Sequence, residues 1–326
     1  MRLLVTGAAG FIGSNYVRSV LNGTLAGIDR VTVLDKLTYA GSLTNLAPVA
    51  QDGRLTFVQG DICDYGLVRD LLPGHDAVVH FAAESHVDRS IAGAGTFMTT
   101  NALGTQTLLE AARNAGLSRF VHVSTDEVYG SIPTGSWSET EPLLPNSPYS
   151  ASKAASDLIA RAYHRTYDMD VRITRCSNNY GPYQFPEKVI PLFITNLIDG
   201  EQVPLYGSGL NVRDWLHVDD HCRGIHLVLM DGRPGEIYNI GGGTEMTNVE
   251  LTHRILEFMG KDESSIRSVG DRLGHDQRYS VDISKITREL GYQPIVNFEE
   301  GLQRTIAWYQ ENEAWWRPLK ERARLV

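Results

Sequence analysis

Cysteine is nearly missing from this chain: Cys63, Cys176 and Cys222 are the whole supply in 326 residues. Three scattered thiols exclude a disulfide framework and a cysteine-based metal site, and no metal is expected. They suit small buried hydrophobes in a reducing compartment. Long apolar runs are missing too, since no stretch approaches the roughly 20 apolar residues that span a bilayer. The opening residues Met1 to Gly7 run straight into a glycine turn, with no apolar signal core or cleavage site, so a cytoplasmic location is expected. Positive charge is in short supply: 30 Lys and Arg stand against 39 Asp and Glu, a net −9. Nucleic acid and anionic membrane surfaces both need clustered positive charge, so neither is expected as a partner. A small anionic ligand remains allowed, because a few local arginines can reverse the field inside one pocket. Repeats and low-complexity segments are absent as well. The length exceeds that of one compact core and predicts one large domain with a smaller lobe.

What is present is an alternation of short apolar runs with helical patterns. Leu3 to Val5, Val31 to Leu34, Leu55 to Val58, Ala77 to Phe81, Phe120 to Val123 and Val171 to Thr174 read as strands covered on both faces. Between them the spacing predicts helices over Ile12–Leu21, Leu67–Leu72, one long stretch from about Thr96 to Ala115, and Tyr149–Tyr167. This alternation implies an α/β fold: a doubly wound parallel sheet of the Rossmann type with right-handed crossovers. After Cys176 the pattern loosens. Asn178–Pro191 and Gly207–Asp214 read as loops, with a helix over Pro191–Leu197, a strand over Glu236–Ile240 and helices near Asn248–Met259, Ser284–Leu290 and Glu299–Trp316. The expected division puts 1–178 plus about 214–243 in the dinucleotide domain. About 179–213 plus 244–326 then form a smaller mixed α/β lobe.

Gly7, Gly10 and Gly13 follow the first strand and open a helix. In that context the first glycine serves a tight turn, the second lets backbone approach a pyrophosphate, and the third lets helix and strand pack closely. The helix N-terminus then turns free N–H groups and its positive dipole end to the phosphates. Asp35 ends the second strand, about 20 residues on, where a carboxylate accepts ribose hydroxyls and repels a 2′-phosphate. NAD is therefore the expected cofactor rather than NADP. Asp61 and Ile62, after the third strand, are placed to meet the adenine rim, or simply to end that strand.

Tyr149 and Lys153 stand four residues apart on one predicted helix face. A free phenol titrates near 10, and a neighbouring ammonium with a nicotinamide's positive charge would lower it until it could serve as a base. Thr125, at a facing strand end, would hydrogen-bond the same sugar oxygen. Together with the glycine cradle, these residues resemble the extended short-chain dehydrogenase/reductases over essentially the whole chain.

Asp126 and Glu127 ask for more than oxidation. Sugar epimerases of that family need only the Thr/Ser, Tyr and Lys, whereas two acids suit an elimination. One would remove a proton made acidic by a neighbouring ketone while the other protonates a leaving hydroxyl. Adjacent strand residues face opposite ways, so the backbone must turn at this pair if both are to meet the sugar. The alternative is that one caps the next turn or pairs with an arginine.

Five longer strings resemble the dTDP-glucose 4,6-dehydratase family: Asp35 to Gly41, Phe81-Ala82-Ala83-Glu84-Ser85-His86-Val87-Asp88-Arg89-Ser90, Ser124 to Gly130, Asn178 to Lys188, and Arg213-Asp214-Trp215. Ala8, where glycine is common, is a minor departure. The resemblance implies oxidation at C4, loss of water across C5–C6 and hydride return to C6, with Thr125, Asp126, Glu127, Tyr149 and Lys153 catalytic. It also implies cofactor contacts from Phe11, Ile12, Asp35, Lys36, Leu37, Thr38, Asp61, Ile62, Phe81, Ala82, Ala83, Ser85, Thr100, Tyr149, Lys153 and Asn179. A nucleotide sugar would meet Ser85, Thr125, Asn178, Glu187, Lys188, Arg213, Asn248, Arg272 and His275. Arg213 and Arg272 suit the diphosphate, and Asn248 is equally able to cap its helix. Pro204 and Tyr206 offer a ring for base stacking, or a core tyrosine. The family further implies a homodimer paired through the two long helices. A dehydratase of another nucleotide sugar, or a 4-epimerase, is the alternative.

Overall fold

The computed structural model describes residues 1–271 and 273–325. Its strands, numbered along the chain, begin with β1 (Arg2–Thr6), β2 (Arg30–Asp35), β3 (Leu55–Gln59), β4 (Ala77–His80), β5 (Arg119–Thr125) and β6 (Val171–Cys176). They continue with β7 (Asn178–Tyr180), β8 (Val203–Tyr206), β9 (Val212–His217), β10 (Ile237–Ile240), β11 (Glu245–Thr247) and β12 (Ile266–Val269). Seven of them form one sheet in the order β10-β6-β5-β4-β1-β2-β3, every neighbouring pair parallel. The order reverses between β1 and β4, and the crevice beyond their C-terminal ends is where such sheets take ligands.

Both faces of this sheet are covered. On one, Tyr16, Val17 and Val20 of helix Phe11–Leu21 pack with Cys222, Ile225 and Leu229 of helix Val218–Asp231. Ile286 and Tyr292, far along the tail, join that core. On the other face, Val68, Leu108, Leu109, Ala112 and Ala160 come from helices Tyr65–Leu71, Gly104–Asn114 and Pro148–Tyr167. A separate core gathers Phe193, Ile194, Leu251, Ile255, Leu302, Ile306, Tyr309 and Trp316 around two small sheets, β11-β9-β7 and β12-β8.

The structure departs from the sequence expectation most clearly in the following places. The Asn178–Pro191 and Gly207–Asp214 loops contain β7 and the start of β9. Helix Val218–Asp231 was unexpected: Asp220, His221, Cys222, Gly224 and His226 lie on its buried side and blur its apolar stripe. The long Thr96–Ala115 helix is three pieces, Ala94–Phe97, a π-helical Met98–Leu103 and Gly104–Asn114. The expected Glu299–Trp316 helix breaks at Asn312 into Phe298–Glu311 and Glu313–Leu325.

Helix Pro148–Tyr167 starts from a reciprocal Ser147–Ser150 capping box. Below its first turns lies a buried polar network. Arg175 on β6 donates to Asp157 through Nε (2.8 Å) and to the Tyr129 hydroxyl through Nη1 (2.8 Å). His122 on β5 contacts Asp157 at 3.2 Å, and Tyr129 donates to Asn239 on β10 at 2.9 Å. Burial alone would raise the Asp157 carboxyl, but the Arg175 guanidinium and His122 outweigh it and hold it below the usual carboxylate range.

Asp157→Ala leaves the Arg175 charge buried without its partner. It is expected to cost about 3–5 kcal/mol in chemical denaturation. Joint replacement of Asp157 and Arg175 by apolar residues of similar size should recover most of that loss. The folded carboxyl titrates below the roughly 3.9 of an unfolded chain. Its stabilisation is therefore present at neutral pH and drains away as pH falls below that value.

Candidate active site

The β1 turn comes first. Gly7 has φ +71°, and a Cβ there would stand 2.5 Å from the Ala82 nitrogen, so glycine lets this turn lie directly on the one after β4. A Cβ on Gly13 would meet the Gly7 carbonyl oxygen at 2.6 Å and the Ala8 Cα at 2.8 Å, both immovable backbone. Gly10 is the helix N-cap and brings no side chain to cap it. Three N–H groups of the first turn therefore face the crevice, which suits a pyrophosphate. Asp35 fixes the far side: its Oδ2 accepts from Ala9 N at 2.9 Å and its Oδ1 from Leu37 N at 2.8 Å. Burial raises this carboxyl, and the two backbone N–H groups pull it back. Lys36 closes on Asp61 at 2.7 Å.

These elements open into a cavity of about 430 Å³, a volume typical of small-molecule sites. Of the expected cofactor residues, Gly7, Gly10, Phe11, Ile12, Gly13, Asp35, Lys36, Thr38, Asp61, Ile62, Phe81, Ala82, Ala83, Ser85, Thr100, Tyr149, Lys153 and Asn179 line it. Leu37 stands beside the lining, at φ +56°. Thr125, Asp126, Glu127, Asn178, Glu187 and Lys188 line it too. The dinucleotide cradle and the reactive groups thus share one space, and glycine backbone, an open helix end and an acid at the ribose position fit NAD.

The two acids do turn together. β5 ends at Thr125, and a 3-10 turn over Asp126–Tyr129 follows, capped by the Thr125 side chain accepting from Glu127 N at 3.3 Å. Asp126 is 2% exposed. Burial first, then the neighbouring charges of Glu127 and Asp214, push its carboxyl well above the usual range, in the direction that favours the protonated acid. Its Oδ1 accepts from the Thr125 hydroxyl at 3.3 Å, while Oδ2 is buried with no hydrogen-bond partner among the described residues. That is the arrangement of a general acid.

Tyr149 and Lys153 are both buried beside the cavity. Burial and the Glu127 charge push the Tyr149 phenol well above its ordinary value, and only the Thr125 hydroxyl pulls it down. The Lys153 ammonium donates to the Val123 carbonyl at 2.8 Å, and burial lowers it to about 8. Lowering of the phenol is thus left to positive charge bound in the cavity.

Five of the expected sugar-nucleotide residues lie outside the cavity lining. Pro204 and the exposed Tyr206 are on β8. Arg213 is buried over the Tyr279 ring at 4.2 Å, donating to Val212 O and Asp276 O. Asn248 is the first helical residue and not the cap, which is Thr247 with Glu250 reciprocating. His275 contacts Asp271 at 2.6 Å. Arg272 lies outside the described residues. These segments adjoin one another: Asn248 N donates to Asn211 O at 3.0 Å, and a Cβ on Gly207 would touch Asp271. Arg213 links this shelf to the cavity, because its charge acts on Asp126. Glu84, Ser124, Cys176, Ser177, Gln184 and Phe185 also line the cavity and were not singled out. Glu84, Gln184 and Phe185 stood inside the family strings, whereas Cys176 carried only the reading of a buried thiol.

Comparison with known proteins agrees with this geometry. A family model described as GDP-mannose 4,6 dehydratase matches residues 4–305. A dTDP-glucose 4,6-dehydratase of Streptomyces niveus is 62% identical over 322 residues, covering 98% of this chain and 96% of the relative. The crystal structure of a dTDP-glucose 4,6-dehydratase from Streptomyces venezuelae, with NAD bound, is 67% identical. It superimposes with a TM-score of 0.97 over 98% of this chain and 100% of that one. A UDP-glucose 4-epimerase from Thermotoga maritima reaches 0.88 at 31% identity, over 96% and 100%.

Asp35→Ala is expected to narrow the preference for NAD over NADP by about tenfold, read as the ratio of dissociation constants. An unchanged ratio would remove Asp35 as the discriminating group.

Proposed function

Because this chain belongs to the dTDP-glucose 4,6-dehydratases, a family of extended short-chain dehydrogenase/reductases, we infer that its cavity converts dTDP-glucose to dTDP-4-keto-6-deoxyglucose. It is a hydro-lyase with NAD as cofactor. The observation that carries this reading is the turn of Asp126 and Glu127 into the space that Thr125, Tyr149 and the glycine cradle also line.

Bound NAD supplies the redox chemistry, taking the C4 hydrogen as hydride and returning it at C6, with no net oxidation. Tyr149 receives the C4 hydroxyl proton, with Thr125 hydrogen-bonded to the same oxygen. The ketone at C4 acidifies the C5 hydrogen, which Glu127 removes as a proton. Asp126, whose carboxyl burial pushes up, gives its proton to the departing C6 hydroxyl, which leaves as water. As C6 is reduced, Glu127 returns a proton to C5. The proton held by Tyr149 then replaces the one Asp126 gave up, and the sum is loss of one water. An epimerase has no step for the two acids, and the identity to dehydratases is about twice that to the epimerase.

Within this reading, Arg213, Asn248, His275 and Tyr206 hold the nucleotide on the shelf beside the cavity. The chain is further proposed to act as a homodimer in the cytoplasm. Met98, Leu103, Leu158 and Tyr167 are 46–55% exposed on the two helical segments named for pairing, which supports the dimer. Among the described residues no helix is long and apolar enough to cross a membrane.

Glu127→Gln is expected to oxidise dTDP-glucose in a single turnover, seen as reduced-nicotinamide absorbance, and then to stall. Elimination should slow by about 10²–10⁴-fold, and full turnover would remove Glu127 as the base. Deuterium placed on C4 should reappear in the C6 methyl group, and its loss to solvent would exclude the internal transfer. At micromolar concentration, sedimentation should report twice the chain mass, and a monomer would contradict the dimer.

A further inference from the structure

A reaction with no net redox change gains nothing from releasing its cofactor midway, so what holds the cavity shut matters. Three side chains from three separate segments meet at its edge. Tyr39 follows β2, between the lining residues Thr38 and Ala40. Arg89 sits in helix Val87–Ala92, just beyond the lining residues Ala82 to Ser85. Glu187 lines the opposite wall, in the connection between β7 and helix Val189–Ile198.

Each of the three touches the other two. The Tyr39 hydroxyl donates to Glu187 Oε1 at 2.8 Å. Arg89 reaches Glu187 Oε2 through Nε and Nη2, both at 3.2 Å. Its guanidinium lies 3.8 Å from the Tyr39 ring centroid, stacked on the face. The Glu187 and Arg89 side chains are only 9% and 19% exposed, so this pair is shielded far more than a surface ion pair. Phe185 packs edge-on against the Tyr39 ring at 5.4 Å. A second bridge crosses the same gap, from Lys188 Nζ to the Ser85 carbonyl at 2.9 Å.

We propose that Tyr39, Arg89 and Glu187 form a clasp that holds the two walls of the cavity together and retains the dinucleotide through the catalytic cycle. Glu187 is then a positioning residue, its two carboxylate oxygens engaged by the far wall. The β2 and β4 loops belong to the cofactor-binding sheet and the Glu187 segment does not. For the dinucleotide to leave, the three contacts must part together. This proposal rests on the dehydratase reading only for the benefit of retention.

The test uses the full chain loaded with labelled NAD and chased with an excess of unlabelled NAD. Tyr39→Phe removes the hydroxyl that donates to Glu187 and keeps the ring beneath Arg89. Arg89→Lys keeps the charge but loses the fork and the stack. Each is expected to speed loss of label by about tenfold, the effect of one hydrogen bond to a charged acceptor. Formation of 4-keto sugar at saturating NAD should stay unchanged. Thermal unfolding is read alongside, and the two substitutions are independent should one fail to fold. Label loss at the rate of the unaltered chain overturns the clasp. So does a fall in product formation that saturating NAD does not restore. Absence of 4-keto sugar from the unaltered chain would instead overturn the dehydratase reading, while the release comparison would still decide the clasp.

Discussion

A β-strand shows successive side chains to opposite faces, so two adjacent acids can serve one ligand only where the strand stops. In this protein β5 stops at Thr125, and the chemistry depends on how firmly that stop is held. The Thr125 hydroxyl caps the turn at its start. Gly130 ends it at φ +82°, against the Leu144 carbonyl, where no side chain fits. Tyr129 anchors it from beneath through Asn239 and Arg175. Arg175 in turn pairs with Asp157, which belongs to the same helix as Tyr149 and Lys153. The acids, the phenol and the lysine therefore hang from one buried polar network. None of them is placed by a free loop, which is how a site keeps tolerances of a fraction of an ångström.

Burial then sets the protonation states. The same loss of water raises the Asp126 carboxyl, raises the Tyr149 phenol and lowers the Lys153 ammonium to about 8. Each shift favours the uncharged form of its group. An acid that stays protonated beside a second carboxylate is what an elimination needs, and here proximity itself helps, because Glu127 is among the charges that raise Asp126. The phenol is another matter. In the proposed mechanism a positive charge entering the cavity favours its conversion to a base, which ties the first proton transfer to occupancy of the cradle. Enclosure strengthens that coupling, since every water excluded makes the field of a bound charge reach further.

Much of this was legible in the sequence. Glycines at a strand–helix junction, an acid at the second strand's end and a Tyr/Lys pair one helical turn apart are local patterns, and local patterns survive without coordinates. The seven parallel strands were legible for the same reason, as short apolar runs. Helix Val218–Asp231 was not, because its buried side carries Asp220, His221 and His226 and offers no clean stripe. β7 and β9 were not, because three-to-six-residue strands take their identity from a partner across space. Glu187 was read as a ligand contact from its position in a motif. Only the fold reveals that Tyr39 and Arg89, distant in sequence, converge on its carboxylate. Four residues of spacing fix a shared helix face for Tyr149 and Lys153, and the fold adds that the ammonium donates to the Val123 carbonyl.

The comparison with 4-epimerases separates fold from function. A UDP-glucose 4-epimerase shares the fold at a TM-score of 0.88, so the sheet topology alone does not say which reaction the site performs. In the proposed mechanism the choice falls to two side chains at the end of β5. Without a base at C5, the ketone has no exit except reduction at the carbon it came from, and the sugar can only turn over. In the proposed mechanism Glu127 takes that proton and Asp126 supplies another to the leaving oxygen, so elimination competes before the hydride returns. The hydride then finds C6 as its acceptor instead of C4. Dehydration is thus epimerase chemistry interrupted at the ketone, and the interruption costs the fold only a turn that brings two neighbouring acids to the same side.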